Sequence, residues 1–187
     1  MWREKRCVKK ALRNCNLNKS DYILDIPCGT GVLGRTISEF SSSIIASDIS
    51  GEMITLACEE YNDKAVIGFV QGDITKTPFR NGQFRCVITV GLMHRLPEDV
   101  RTLVFKEISS VSSKFIIMSF SVDSFPQKIK RWLIKKIWPN HKSAPFHTAL
   151  KDMIKEIKSK GLTIKHSYSV IPFFCADSIL LLEKNDN

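Results

Sequence analysis

The stretch Asp25-Ile26-Pro27-Cys28-Gly29-Thr30-Gly31-Val32-Leu33-Gly34 holds an acid directly ahead of a G-x-G-x-x-G loop. Glycines there let the backbone approach a ligand closely and can accept a positive φ. At the start of a helix such a loop also presents N–H groups without intrahelical partners. Asp48 stands 17 residues after Gly31, where a carboxylate can accept hydrogen bonds from the hydroxyls of a ribose. Asp25 narrows the ligand: a carboxylate beside a pyrophosphate is repelled, whereas one beside an ammonium or sulfonium cation is attracted. His94 offers a neutral imidazole able to take a proton from a hydroxyl nucleophile; bonding loop backbone is an equally good use for it.

The surrounding pattern must place these groups. Tyr22–Ile26 is a short apolar run bounded by turn residues and is predicted as a buried strand. Val32–Phe40 has helical spacing; Ser43–Ser47 is a second strand and Gly51–Tyr61 a helix. Ala65–Val70 and Phe84–Val90 are the third and fourth strands. A helix starts at Pro97, with Glu98 and Asp99 in its first turn, and runs to about Ser112. Lys114–Phe120 is a fifth strand, and Thr148–Lys160 an amphipathic helix closed by Gly161. Leu162–Val170 and Cys175–Glu183 are two last strands, expected to pair antiparallel across the link containing Pro172. Strands alternating with helices predict a parallel sheet with right-handed crossovers, seven-stranded in total. Its ligand belongs at the carboxyl ends of the strands, beside the loops after the first, second and fourth.

Composition sets outer limits. The chain has 187 residues, enough for one domain with a substantial core. Its 43% hydrophobic and 25% charged residues are ordinary for a globular protein. The six cysteines form no C-x-x-C pair and no zinc-type cluster, so free core thiols and no metal are expected. No apolar run reaches the ~20 residues of a membrane span, and no apolar stretch follows the basic N-terminus; a cytoplasmic protein is expected. The net charge of +9 is uneven: eleven basic and two acidic residues lie between Pro126 and Lys165, and the remainder holds 17 of each.

The glycine loop and Asp48 fit a nicotinamide cofactor and S-adenosylmethionine (SAM) alike, and Asp25 favours SAM. ILDIPCGTG resembles the first motif of class I SAM-dependent methyltransferases. Asp48-Ile49-Ser50-Gly51-Glu52-Met53 is similar to their second, and Gln71-Gly72-Asp73-Ile74 to their third. Val87 to Pro97 resembles the fourth strand and loop of the subgroup with ubiquinone and menaquinone biosynthesis enzymes. The likeness runs from about Asp21 to Phe120. It implies a Rossmann-like α/β fold: a mostly parallel seven-stranded sheet, helices on both faces and a C-terminal antiparallel strand pair. It also implies SAM as cofactor, held by Asp25, Pro27, Gly29, Thr30, Gly31, Asp48, Ile49, Met53, Asp73, Ile74 and Val90, with His94 on the acceptor side. In this chain Pro27 replaces a glycine frequent in the family loop, and Arg95 replaces a frequent second histidine.

The loop after the fourth strand lacks the family signatures for methylating adenine, glutamine, cytosine or arginine. A small-molecule, lipid, quinone or sugar acceptor is therefore expected. The alternatives are an RNA methyltransferase using the basic C-terminal region and a non-catalytic SAM-binding protein. A basic insertion is expected at about 122–147, within one domain spanning 1–187. Within it, Phe125–Trp138 places Phe125, Ile129, Trp132, Leu133 and Ile137 on one helical face, with Lys128, Arg131, Lys135 and Lys136 largely elsewhere. That pattern suits a lid, and also peripheral contact with an anionic membrane. Nucleic acid is not an expected partner, and the oligomeric state is left open.

Overall fold

The short apolar runs pair as the alternation requires. In the computed structural model, which describes residues 2–61, 65–121, 150–170 and 177–185, the strands are β1 (Ile23–Asp25), β2 (Ile44–Asp48), β3 (Val66–Gln71), β4 (Phe84–Thr89), β5 (Ser112–Ser121), β6 (Leu162–Ser169) and β7 (Asp177–Lys184). They form one seven-stranded sheet in the order β3-β2-β1-β4-β5-β7-β6. The first five strands are parallel to their neighbours, and β7 lies antiparallel between β5 and β6. The order reverses between β1 and β4, which leaves a crevice at their carboxyl ends. Central strands of such a sheet are covered on both faces and must be apolar throughout; all three residues of β1 are accordingly buried.

Helices α1 (Trp2–Arg13), α2 (Gly34–Ser38) and α3 (Gly51–Glu60) cover one face. Helices α4 (Glu98–Val111) and α5 (Leu150–Ser159) cover the other. Ser50 caps α3, its hydroxyl accepting from the Met53 amide at 3.3 Å. Gly161, with φ +68°, follows α5 as expected for a helix stop.

Three expectations need correction. An N-terminal helix, α1, packs Cys7, Val8, Ala11 and Leu12 into the core; their i, i+1, i+4, i+5 spacing was present in the sequence. The predicted helix Val32–Phe40 shrinks to Gly34–Ser38, because the chain first makes two tight turns, Gly31 N–H to Cys28 O and Gly34 N–H to Gly31 O. The crossover from β3 to β4 carries no helix over residues 72–83. Ile74 and Phe79 pack there against the second core instead. The Thr77 amide and hydroxyl both donate to Glu107 of α4, at 2.8 and 2.6 Å. The segment 122–149, including the basic stretch Phe125–Trp138, lies outside the described residues.

Helices α4 and α5 are joined by one ion pair. Arg101 Nε donates to Glu156 Oε2 at 3.0 Å, with the two side chains only 6% and 14% exposed. A buried pair gains little over apolar replacements, but losing one partner strands the other charge. Arg101→Ala should therefore cost about 3–5 kcal/mol in urea denaturation, and Arg101→Met with Glu156→Leu should recover most of that loss. A double variant no more stable than the single one would show that the pair does not join the helices.

Candidate active site

The carboxyl ends of β1, β2 and β4 meet at two buried acids. Asp48 ends β2 and is 6% exposed. Its Oδ2 accepts from the Gly29 amide at 2.8 Å and its Oδ1 from the Ser50 amide at 3.0 Å. The Cys28 amide donates to Ser47 O at 2.8 Å, and the Gly72 amide to Asp48 O at 3.0 Å. Asp48 thus fastens the loop after β1 to the start of α3, and its carbonyl holds the loop after β3. A carboxylate has about four acceptor positions, so two amides leave room for hydroxyl donors.

Asp25 ends β1 and is 1% exposed. The Tyr61 hydroxyl donates to Asp25 Oδ2, while Oδ1 is buried with no partner. Burial pushes the Asp25 carboxyl up to about 7, the Tyr61 hydrogen bond opposes the rise, and the Asp48 charge adds to it. Burial and the neighbouring Asp25 raise the Tyr61 hydroxyl far above its ordinary range, so Tyr61 stays protonated and donates. Tyr61 is held by its packing over Gly34, where an added Cβ would lie 2.8 Å from the ring, and by an edge-on contact with Phe69 at 5.7 Å. Burial, then Asp25 and Asp48, push the Cys28 thiol up to about 12, so it is no thiolate nucleophile.

Buried polar atoms almost always find partners, so those without one call for an explanation. Among the described residues Asp25 Oδ1, Ser47 Oγ and Thr89 Oγ1 are such atoms near the strand ends; Asp25 lies on the α1–α3 face of the sheet, and Ser47 and Thr89, one position past its register partners, on the other. They belong to the ends of β1, β2 and β4, Asp25 pairing in register with Ala46 and Ile88.

The two loop glycines play different parts. Gly29, with φ +53°, has nothing within 4 Å of an added Cβ and so borders open space. Gly31, with φ +75°, would place a Cβ 2.9 Å from the Ala57 backbone and from Glu60. An added side chain would thus enter open space at Gly29, whereas at Gly31 it would stop α3 from closing on the loop. Beside Asp48, Ile49 is 66% and Met53 37% exposed, a small apolar platform at the loop surface.

Pro27 is half-buried and follows a cis peptide bond, and Thr30 is exposed. Asp73 is exposed in a tight turn, where its Oδ1 accepts from both the amide and the hydroxyl of Thr75 at 2.8 Å. Those bonds hold its carboxyl below the usual range. Ile74 turns partly into the second core and Val90 packs partly against the first. His94 is half-buried in a one-turn 3-10 helix, Met93–Arg95, anchored by fully buried Met93. The Gly91 amide at the head of that loop donates to Ser119 Oγ on β5 at 2.6 Å. Tyr61, Ser47, Thr89 and Ser119 are missing from the residues expected from sequence. Tyr61 was predicted as a helix end, and nothing local ties it to an acid 36 positions earlier.

The sequence and fold are similar to those of known methyltransferases. A family model described as a methyltransferase domain matches residues 23–114, which hold β1 through the start of β5. The ubiquinone/menaquinone biosynthesis C-methyltransferase of Coxiella burnetii is 35% identical over 95 residues, 46% of this chain and 38% of that protein. Over these residues the chain is similar to class I SAM-dependent methyltransferases. The chloroplastic 2-phytyl-1,4-beta-naphthoquinone methyltransferase of Arabidopsis thaliana is 30% identical over 132 residues, 64% of this chain and 50% of that protein. The chain thus spans half or less of the length of these two curated relatives. In fold it is similar to the magnesium protoporphyrin IX methyltransferase of Synechocystis PCC 6803, solved with bound S-adenosylhomocysteine (SAH). That similarity has a TM-score of 0.80 over 98% of this chain and 84% of the other, at 16% identity.

The glycine contrast predicts that Gly31→Ala will destabilise more than Gly29→Ala. The first must move α3 backbone as well as hold a positive φ, at about 2–5 kcal/mol; the second meets only the φ penalty, about 1–2 kcal/mol. Equal losses in chemical denaturation would refute the packing role of Gly31.

Asp25 predicts an unusual pH dependence. Its folded carboxyl holds a proton up to about pH 7, whereas an unfolded aspartate releases it near pH 4. The folded state therefore binds more protons between those values, and its stability should fall as pH rises from about 4 to about 7, then level off. Asp25→Asn should flatten that part of the profile. Parallel profiles for parent and variant would show that Asp25 ionises normally.

Proposed function

We propose that this chain binds SAM across the carboxyl ends of β1, β2 and β4 and transfers its methyl group to a small-molecule or lipid-like acceptor. The observation that carries the reading is the buried Asp25 carboxylate oxygen left without a partner at the end of β1, directly ahead of a loop whose Gly29 borders open space. The methyltransferase domain match and the names of the relatives, one of ubiquinone/menaquinone biosynthesis and one acting on a phytylated naphthoquinone, support a quinone-like or other small-molecule acceptor.

Asp25 would face the cationic part of the cofactor, supplying a buried negative charge already oriented by Tyr61. Asp48 would accept from the ribose hydroxyls with the positions its two amides leave open. Gly29 and Thr30 would border the cofactor through the loop, with Pro27 and Gly31 shaping it. Ile49 and Met53 would cover the adenine, which Asp73, Ile74 and Val90 would flank. When bound, SAM supplies an activated methyl group on a sulfonium leaving group. The protein then has chiefly to align an acceptor atom with that methyl, and alignment alone contributes about 7–11 kcal/mol. His94, in the loop after β4, is the candidate to take a proton from a hydroxyl acceptor, a contribution of typically ~10²–10⁴-fold. The basic residues of Phe125–Trp138 favour contact with an anionic membrane surface, where a lipid-like acceptor would reside.

Calorimetric titration of SAM and SAH tests the cofactor. The parent should bind both, and Asp25→Asn should weaken SAM. Asp48→Ala should weaken SAM by at least about tenfold, the loss of one hydrogen bond to a charged group. It should also lower stability, because the Gly29 and Ser50 amides lose their acceptor. No SAM binding by the folded parent would overturn the proposal. Transfer of labelled methyl should then be screened over quinone, lipid and glycan acceptors. On a true acceptor, His94→Ala should reduce turnover and leave SAM affinity within about twofold; unchanged turnover would return His94 to a structural role.

A further inference from the structure

A second charged cavity lies at the other end of the sheet. Its volume is about 330 Å³, and its lining includes Arg85, Lys114, Phe115, Lys165, His166 and Glu183. Arg85 is the second residue of β4, whose last residue, Thr89, belongs to the candidate active site. The cavity therefore opens at the amino ends of the parallel strands, beneath the C-terminal end of α1, from which Asn14, Cys15 and Asn16 also contribute.

Two irregularities of the sheet build it. Pairing between β4 and β5 shifts register between Phe84 and Cys86, and pairing between β6 and β7 shifts between Ile164 and His166. At the first, Ser113 and Lys114 of β5 stand opposite the single Arg85 of β4; at the second, Lys165 of β6 is the inserted residue. The first shift puts Phe84 and Cys86, two positions apart, into the cores of opposite faces. The second leaves Ile164 on the α4–α5 face, while His166 pairs with Leu181 of the α1 face. Bulges of this kind re-aim side chains and gather near functional sites. Here two of them, on β5 and β6, which are not neighbours, lie where Arg85, Lys114 and Lys165 line the same cavity.

The charges are unbalanced. Glu183 accepts from Lys165 at 2.7 Å through one oxygen and faces Lys114 at 3.4 Å through the other. The Lys165 bond foremost holds its carboxyl below the usual range. Arg85 is left over: its guanidinium lies 5.7 Å from the centre of the Phe115 ring, and its buried Nε has no hydrogen-bond partner. Arg85, Lys114 and Lys165 against Glu183 give these groups a formal charge of +2.

We propose that this cavity is a binding site for a small phosphate-bearing anion. A phosphomonoester carries about −1.5 to −2 at neutral pH, matching the excess. An arginine fork set against an aromatic ring is well suited to bind two oxygens of one phosphate. The volume is at the lower end of the range for small-molecule sites, about 300–1,000 Å³. The site stands apart from the proposed methyl transfer and does not depend on that reading.

Inorganic phosphate is the probe, titrated calorimetrically into the full chain at constant ionic strength, with SAH titrated separately. The parent should bind phosphate saturably. Arg85→Gln should weaken that binding at least about tenfold, as loss of a charge-assisted bond implies, and leave SAH affinity unchanged. Lys165 is half-exposed, so Lys165→Gln should fold normally and weaken phosphate several-fold; it decides the matter if Arg85→Gln does not fold. Absence of saturable binding to the parent, or the same affinity in parent and Lys165→Gln, would overturn the proposal.

Discussion

Two carboxylates buried at the ends of adjacent parallel strands are the constraint around which the rest of the site is arranged. Burying an ionised group is costly unless donors surround it. Asp48 meets the requirement with main-chain amides from Gly29 and Ser50, and in doing so fixes the path of the loop after β1 and the start of α3. Asp25 meets it only half-way, through one phenolic hydroxyl on one oxygen. The first acid holds the loops in place; the second keeps one oxygen that the protein does not fill.

That asymmetry explains Tyr61, and through it much of the first core. Tyr61 needs a fixed position to reach Asp25. It obtains one from Phe69 on β3 and from the space that Gly34 leaves by lacking a Cβ. Gly31 in turn lets α3, at whose C-terminal end Tyr61 sits, come down onto the loop. The G-x-G-x-x-G pattern is thus mostly a packing device in this chain. Gly29 faces open space, whereas Gly31 and Gly34 face the helix and tyrosine that orient the acid.

Much of this was legible in the sequence, for identifiable reasons. All seven strands were apparent because parallel strands are apolar runs cut by turn residues, and β1 to β5 follow that rule closely. The family motifs placed the acids and the open glycine because loop position depends on local chain chemistry. The misses lie where distant residues decide. Tyr61 to Asp25 and Ser119 to Gly91 are contacts over 36 and 28 positions that no periodicity reports. The shortening of α2 depends on turns set by Cys28 and Gly31, although Val32–Phe40 keeps helical spacing. Asp73 matches a family position, yet locally the neighbouring Thr75 claims one of its oxygens. Helix α1 is a different kind of miss, since its apolar spacing was readable and a strongly basic composition masked it.

That basic composition also changes where the protein's charge is seen to lie. Counted along the chain, the excess falls entirely between Pro126 and Lys165, with the remainder neutral. In three dimensions the remainder is not evenly neutral, because α1 alone carries six basic residues and one acid. The helix runs antiparallel to the parallel strands. Cys7 near its start lies against Ser169, at the carboxyl end of β6, and Asn14 beyond its end lines the cavity at the opposite end. Its first turns therefore bring Arg3, Arg6 and exposed Trp2, over which the Arg6 guanidinium stacks at 4.8 Å, to the end of the sheet where the acids lie. These cations lie towards the β6 edge of that end, whereas the acids lie at β1 and β2. Under the proposed reading the two charges would serve different ligands: the buried carboxylate of Asp25 a cationic cofactor, which the cations of α1 would not attract, and those cations an anionic acceptor or the surface that holds it.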